Sequence, residues 1–260
     1  MKIGIIGDGA IGRYVAAKLN ERGLGPDVVL TRISDASDSP RISATYINSV
    51  SELPDDITLM VDCAGHAALE EHGCSILKRD IDLITVSLGA LADAVLADNL
   101  LQAAQSSGAK LHLASGAIGA LDCLRAAKVG GLGDVTYVGR KPPHGWRGSP
   151  AEKQIDLETL KTAATHFEGS ARIAAMTYPK NANVAAAVAI AGTGFDSTKV
   201  KLVADPSISD NIHEIHASGS FGRFSFRIEG RALPDNPRSS ALAAMSVISA
   251  IEREIAPITI

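Results

Sequence analysis

The chain has 260 residues, 46% apolar and 21% charged, with a formal net charge of −4, enough to bury one large core or two modest ones. Mild acidity and the lack of a long basic run argue against nucleic acid or an anionic membrane as partner and leave small-molecule chemistry. Met1-Lys2 leads into Ile3 without the pattern of a secretory signal, and the longest apolar run, VAAAVAIA at 184–191, is too short to span a bilayer, so a cytoplasmic protein is expected.

From the N-terminus, KIGIIG (2–7), DVVLT (27–31), ITLMVDCAG (57–65), IDLITVS (81–87) and AKLHLAS (109–115) read as buried strands, with segments of helical period at 10–22, 66–79 and 92–107. This alternation predicts an α/β architecture, a Rossmann doubly wound parallel-sheet domain over 1–116. The second half differs in texture: a strand at 134–141, the Pro/Gly-rich loop PPHGWRGSPAE (142–152), a helix over 156–167, a helix over 181–192, and strands at 199–204, 211–218 and 221–229. Gly219-Ser220 suits a two-residue hairpin link. Consecutive strands predict a second, α+β domain with a mixed sheet over 117–235, followed by a helix that opens at Asn236-Pro237. Cys63, Cys74 and Cys123 have no C-x-x-C spacing and read as buried thiols, not as a disulfide framework or a zinc site.

GDGAIG places Gly7, Gly9 and Gly12 in G-x-G-x-x-G spacing, directly after the first strand and opening the first helix. The first glycine permits a tight turn, the second lets a pyrophosphate approach, and the third lets helix and strand pack closely. Ala10 and Ile11 start the helix, whose N-terminal amides suit phosphate. At the end of the second strand, LTRISD has Arg32 where an acid would accept from the ribose of NAD; a guanidinium there suits the 2′-phosphate of NADP, while Asp35 keeps NAD open.

Small residues in ASGAIGALD (114–122) leave room at the carboxyl end of the sheet, and a close-packed domain junction would use the same residues. PKNANVAAAVAIAG (179–192) sets Lys180, Asn181 and Asn183 at the mouth of an apolar helix; the asparagines suit capping as well as ligand binding.

GDGAIG, ASGAIGALD, RKPPHGWRGSPAE, KNANVAAAVAIAG, NIHEIHASGSFGRF and NPRSSALAA occur in the order and approximate spacing of the L-aspartate dehydrogenases, which the chain resembles over essentially its whole length. The resemblance implies a homodimer that oxidises L-aspartate with NAD or NADP to iminosuccinate, which hydrolyses to oxaloacetate and ammonia and in some organisms feeds pyridine nucleotide biosynthesis. It also implies that the second domain carries catalysis and dimerisation, and that the C-terminal helix, about 236–260, returns to the nucleotide domain. On this match Ala117 and Asn183 contact the cofactor and His213 is the catalytic histidine. Ser149 in WRGSP and the PRSS segment stand where the family would carry Thr and Lys-Thr, exchanges that keep hydroxyl or charge.

Hydride removal from Cα requires a neutral amine and a nicotinamide held close to the Cα hydrogen. A histidine titrating near neutrality suits activation of the hydrolytic water, which is the role expected of His213. Lys141, Arg147, Lys180 and Arg238 are available to the two substrate carboxylates, with Lys180 favoured. His66 could border the cofactor and His144 the substrate; His72, His112 and His166 read as surface or packing residues. In a strand, His213 and His216 point to opposite faces, which argues against a shared metal. Other readings of this architecture are a dihydrodipicolinate reductase or homoserine dehydrogenase, or a non-catalytic NADPH sensor.

Overall fold

The computed structural model describes residues 1–32, 42–233 and 236–259, with the backbone alone for 236–238. Two compact units emerge, Met1–Ala114 with Ala243–Ile260, and Ser115–Leu242.

In the first unit, β1 (Ile3–Ile6), β2 (Val28–Leu30), β3 (Thr45–Ile47), β4 (Leu59–Asp62), β5 (Asp82–Thr85) and β6 (Leu111–Leu113) form one sheet in the order β3-β2-β1-β4-β5-β6. Every neighbouring pair is parallel, the doubly wound arrangement in which right-handed crossovers place helices on both faces. The central strands β1, β2 and β4 are buried along their whole length and almost entirely apolar, because both faces are covered. Ile3, Ile5, Val29 and Val61 pack against Val15 and Leu19 of α1 (Ala10–Asn20) and against Val247, Ile248 and Ile251 of the C-terminal helix, Ala241–Ile255. Ile6, Val28, Leu30, Met60 and Leu83 face the other way, beneath Leu69, Ile76 and Leu77 of α2 (His66–Leu77) and Leu100 and Ala103 of α3 (Ala94–Ser107).

The second unit contains α4 (Leu121–Gly130), β7 (Leu132–Lys141), β8 (Ala164–Ser170), α5 (Ala171–Thr177), α6 (Asn183–Ala191), β9 (Lys199–Ala204), β10 (Asn211–Gly219) and β11 (Gly222–Gly230). Its sheet runs β11-β10-β7-β9-β8, with β7 and β9 parallel and the other pairs antiparallel. The expected α/β plan, a Rossmann unit and an α+β unit with a mixed sheet, is the observed one. No helix among the described residues is long and apolar enough to cross a membrane.

Four local expectations are corrected. The helix over 156–167 does not form: Asp156 accepts from the Glu158 and Thr159 amides and closes a turn, and Ala164–Ser170 pairs with β9 as β8. Ladder bonds to a neighbouring strand outweigh a weak local helical preference. The helix expected at Asn236 begins at Ala241, because 236–240 forms β13, antiparallel to β12 (Ala232–Leu233). The hairpin link is Ser220-Phe221, between the paired Gly219 and Gly222, and Gly222 takes the left-handed backbone with φ +114. Cys63 is buried, but Cys74 is half-buried and Cys123 exposed.

Candidate active site

In the first unit, the glycine loop links β1 to α1. Gly7 has φ +94, and a Cβ on it would lie 2.7 Å from that of Ala64. A Cβ on Gly12 would come 2.2 Å from the Gly7 carbonyl oxygen, so this glycine is required by helix–loop packing. Gly9 differs: a Cβ there would meet no protein atom within 4 Å, and Gly9 caps α1 without a side-chain hydrogen bond. The space beside Gly9 and the helix start at Ala10 and Ile11 fit the pyrophosphate of a dinucleotide, which needs close backbone approach and amide donors.

The carboxyl ends of β4 and β5 are fixed by a feature that sequence reading missed. Asp62, fully buried, accepts from Thr85 Oγ1 at 2.7 Å and Ser87 Oγ at 2.6 Å, and from the amides of Ala64 and Gly65 at 2.9 and 3.2 Å. Four donors satisfy the buried carboxylate and fix the turn that leads into His66, the half-buried first residue of α2. Arg32 is exposed and donates to Glu71 Oε2 at 2.5 Å; that bond raises its pKa. Asp35 lies outside the described residues, as does the side chain of Arg238.

In the second unit, alternation along β7 brings Tyr137, Gly139 and Lys141 to one face of the sheet. His213 sits opposite Gly139 across the antiparallel β7–β10 pair and shares that face. The Tyr137 hydroxyl and His213 Nδ1 are 2.7 Å apart, with the rings 6.0 Å between centroids and 18° from parallel. Gly139 makes this diagonal contact possible, since a Cβ there would lie 2.6 Å from the Tyr137 oxygen. His216, on the other face, is exposed and within 3.0 Å of Ser225 Oγ.

His213 does not titrate near neutrality. Burial, aided by the charge of Lys141, lowers its pKa to about 3, so the ring is neutral at physiological pH. Lys141 is the group brought near the working range: burial lowers its pKa to about 8. Its Nζ donates to Asn181 Oδ1 at 2.6 Å and lies 5.2 Å from the ring centroid of Trp146. Trp146 is itself anchored, donating to the Val203 carbonyl at 3.0 Å and meeting His166 edge-on at 4.3 Å.

Asn181 is thus engaged by Lys141, and neither asparagine is the cap of α6: the cap residue is Ala182, and Asn183 is the first helical residue. Ala117 is buried. Lys180 is exposed in the turn before α6, His144 is exposed, and Arg147 pairs with Glu158 at 2.7 Å. Sequence reading gave no role to Tyr137 or Gly139. The parity of 137, 139 and 141 was available, but the register that sets 139 against 213 was not.

Residues 122–254 match the family described as aspartate dehydrogenase, C-terminal, and residues 7–114 match the homoserine dehydrogenase NAD binding domain. The L-aspartate dehydrogenase of Ruegeria pomeroyi is 51% identical over 259 residues, spanning 99% of this chain and 94% of that protein. The chain belongs to the L-aspartate dehydrogenase family. A second L-aspartate dehydrogenase, from Cupriavidus taiwanensis, is 45% identical over 96% of each chain. The crystal structure of aspartate dehydrogenase from Thermotoga maritima superposes over 100% of this chain and 99% of that one, with a TM-score of 0.79 at 30% identity. The L-aspartate dehydrogenase resemblance read from the motifs therefore extends to the whole fold.

Proposed function

We propose that this chain is an NAD(P)-dependent L-aspartate dehydrogenase that oxidises L-aspartate to iminosuccinate, which hydrolyses to oxaloacetate and ammonia. The observation that carries the reading is a neutral buried imidazole, His213, sharing one sheet face with the enclosed amine of Lys141, in a chain matched over its length by L-aspartate dehydrogenases.

In the reaction, the Cα–H bond breaks with its electron pair leaving as hydride, the C=N bond forms, and the nitrogen loses a proton. The oxidised nicotinamide, when bound, supplies the hydride acceptor. Lys141, poised near pH 8, is the group we assign to receive the amine proton, since a base works best with a pKa near the operating pH. His213 is the catalytic histidine and stays neutral throughout this range. Lys180, exposed beside Asn181, is assigned to a substrate carboxylate.

Gly7, Gly9, Ala10, Ile11 and Gly12 are assigned to the pyrophosphate, and Ala117 and Asn183 to further cofactor contacts. Arg32 would exchange its exposed ion pair with Glu71 for the 2′-phosphate of NADP. We assign catalysis and homodimerisation to the second unit. The sheet face opposite His213, where Glu214 pairs with Arg227, is the surface for the partner copy, and light scattering at twice the chain mass is expected. A cytoplasmic location goes with this reading.

The test is L-aspartate with NAD or NADP and purified protein, following absorbance of the reduced cofactor from neutral to alkaline pH. L-aspartate-dependent reduction is expected. Its absence with both cofactors, or reduction driven instead by L-homoserine, would reject the reading.

A further inference from the structure

Tyr137 is 1% exposed, and burial raises the pKa of its phenol, which therefore keeps its proton. A buried hydroxyl must donate that proton, because an unpaired buried donor is strongly penalised. Among the described residues, the partner of this hydroxyl is His213 Nδ1 at 2.7 Å. A hydrogen on Nδ1 would set two hydrogens between the same two atoms, so Nδ1 must be the acceptor. In a neutral imidazole the ring proton then resides on Nε2.

We infer that Tyr137 is a positioning residue that holds His213 as the neutral Nε2–H tautomer, so that the imidazole meets the substrate as a hydrogen-bond donor and not as a proton acceptor. The substrate half of this statement rests on the dehydrogenase reading; the tautomer does not. The surroundings support it. Gly139, paired with His213 across the strands, leaves room for the phenol. Leu202, paired with Gly139 on β9, and Ile228, paired with His213 on β11, bring no competing polar atom. Lys141, the charged side chain on this face of β7, disfavours a second proton on the ring. Proton acceptance is thereby left to Lys141, which when neutral carries a free electron pair while still donating to Asn181.

The consequence departs from a histidine base. An Nε2–H ring can take a proton at Nε2 only after changing tautomer, with its own proton leaving Nε2 and Nδ1 becoming protonated at the expense of the bond it accepts from Tyr137. It can orient a substrate oxygen without any change of charge, which suits a side chain whose desolvation opposes charging.

The test uses the full chain labelled with 15N-histidine and long-range proton–nitrogen correlation of the imidazole rings at pH 7.5. His213→Gln identifies the His213 signal among the seven histidines. The expected spectrum has a protonated Nε2 and an unprotonated, hydrogen-bonded Nδ1; a protonated Nδ1 overturns the inference. Tyr137→Phe should move the ring toward a mixture of tautomers and lower turnover about tenfold, the scale of one lost transition-state hydrogen bond, with NADPH affinity changed less than about twofold. An unchanged ring in that variant overturns the positioning role. Gly139→Ala displaces the hydroxyl without deleting it, should shift the ring the same way, and decides the point if Tyr137→Phe does not fold. Absence of L-aspartate oxidation alongside the expected spectrum would reject the dehydrogenase reading and leave the tautomer standing.

Discussion

Gly9 and Gly12 are the same residue type serving different needs. Gly12 has a carbonyl where its Cβ would be, while Gly9 has nothing there. Gly12→Ala is therefore expected to destabilise the protein by about 1–3 kcal/mol, the usual cost of overpacking. Gly9→Ala should cost less stability than Gly12→Ala, about the several tenths of a kcal/mol by which alanine is the poorer helix cap, and lose cofactor affinity about tenfold or more, through obstruction of the approaching phosphate. Urea unfolding and fluorescence titration with NADPH on the two variants separate these outcomes; equal loss of stability in both would contradict the open space beside Gly9. Lys141 gives a second test. Its amine loses its proton through about pH 8, so kcat/KM for L-aspartate should rise from pH 7 to 9 and then level. Lys141→Met should remove that limb and lower turnover about 10²-fold, the lower end for general base work. Persistence of the limb would assign it to another group. Neither residue's role was complete in the sequence: the glycine spacing was visible, but which glycine leaves space depends on atoms brought in by folding.

At the scale of elements, the legible parts are those whose period and length leave one solution. Helices α1, α2 and α3 and the apolar strands between them can bury their faces only as layers, and the expected segments lie within a few residues of the observed ones. The failures share a cause. Residues 164–170 and 236–240 have no strong pattern of their own and become strands because β9 and β12 present unpaired edges to them. The C-terminal helix, α7, owes its place to tertiary burial, with Val247, Ile248 and Ile251 in the core beside Ile3 and Val61. Ile251→Ala, at a fully buried position, is expected to cost about 2–5 kcal/mol by leaving a cavity. A change in urea midpoint near zero would show that this helix adds little to the first unit.

For the whole molecule, two imidazoles are buried neutral: His213 at about 3 and His166 at about 4, against an ordinary 6.5. Below pH 6.5 the unfolded chain binds protons at these positions that the folded chain refuses. The contribution of these two rings to stability is therefore fully present above pH 6.5 and is lost as the pH drops toward the folded values, by about 1.4 kcal/mol per unit for each histidine. The lowered carboxylates act mainly below their ordinary values, 3.8 for Asp205 and 4.5 for Glu71, so the window from pH 6.5 to 5.5 isolates the histidines. Urea unfolding at pH 7.5 and 5.5 should show the parent losing roughly 2–3 kcal/mol; equal stability at the two values would place these rings in water.

By itself, the sequence determined the two-part architecture, the nucleotide loop and the family, because these depend on local period, on glycine spacing and on motif order along the chain. Only the tertiary structure decided that His213 is neutral and tied to Tyr137, that Lys141 is the enclosed amine, and that Asn181 serves Lys141 instead of capping a helix. The physical reason is that protonation and hydrogen-bond partnership depend on register across strands and on exclusion of water. Both come from residues as far apart as 137 and 213, which only the folded sheet brings together.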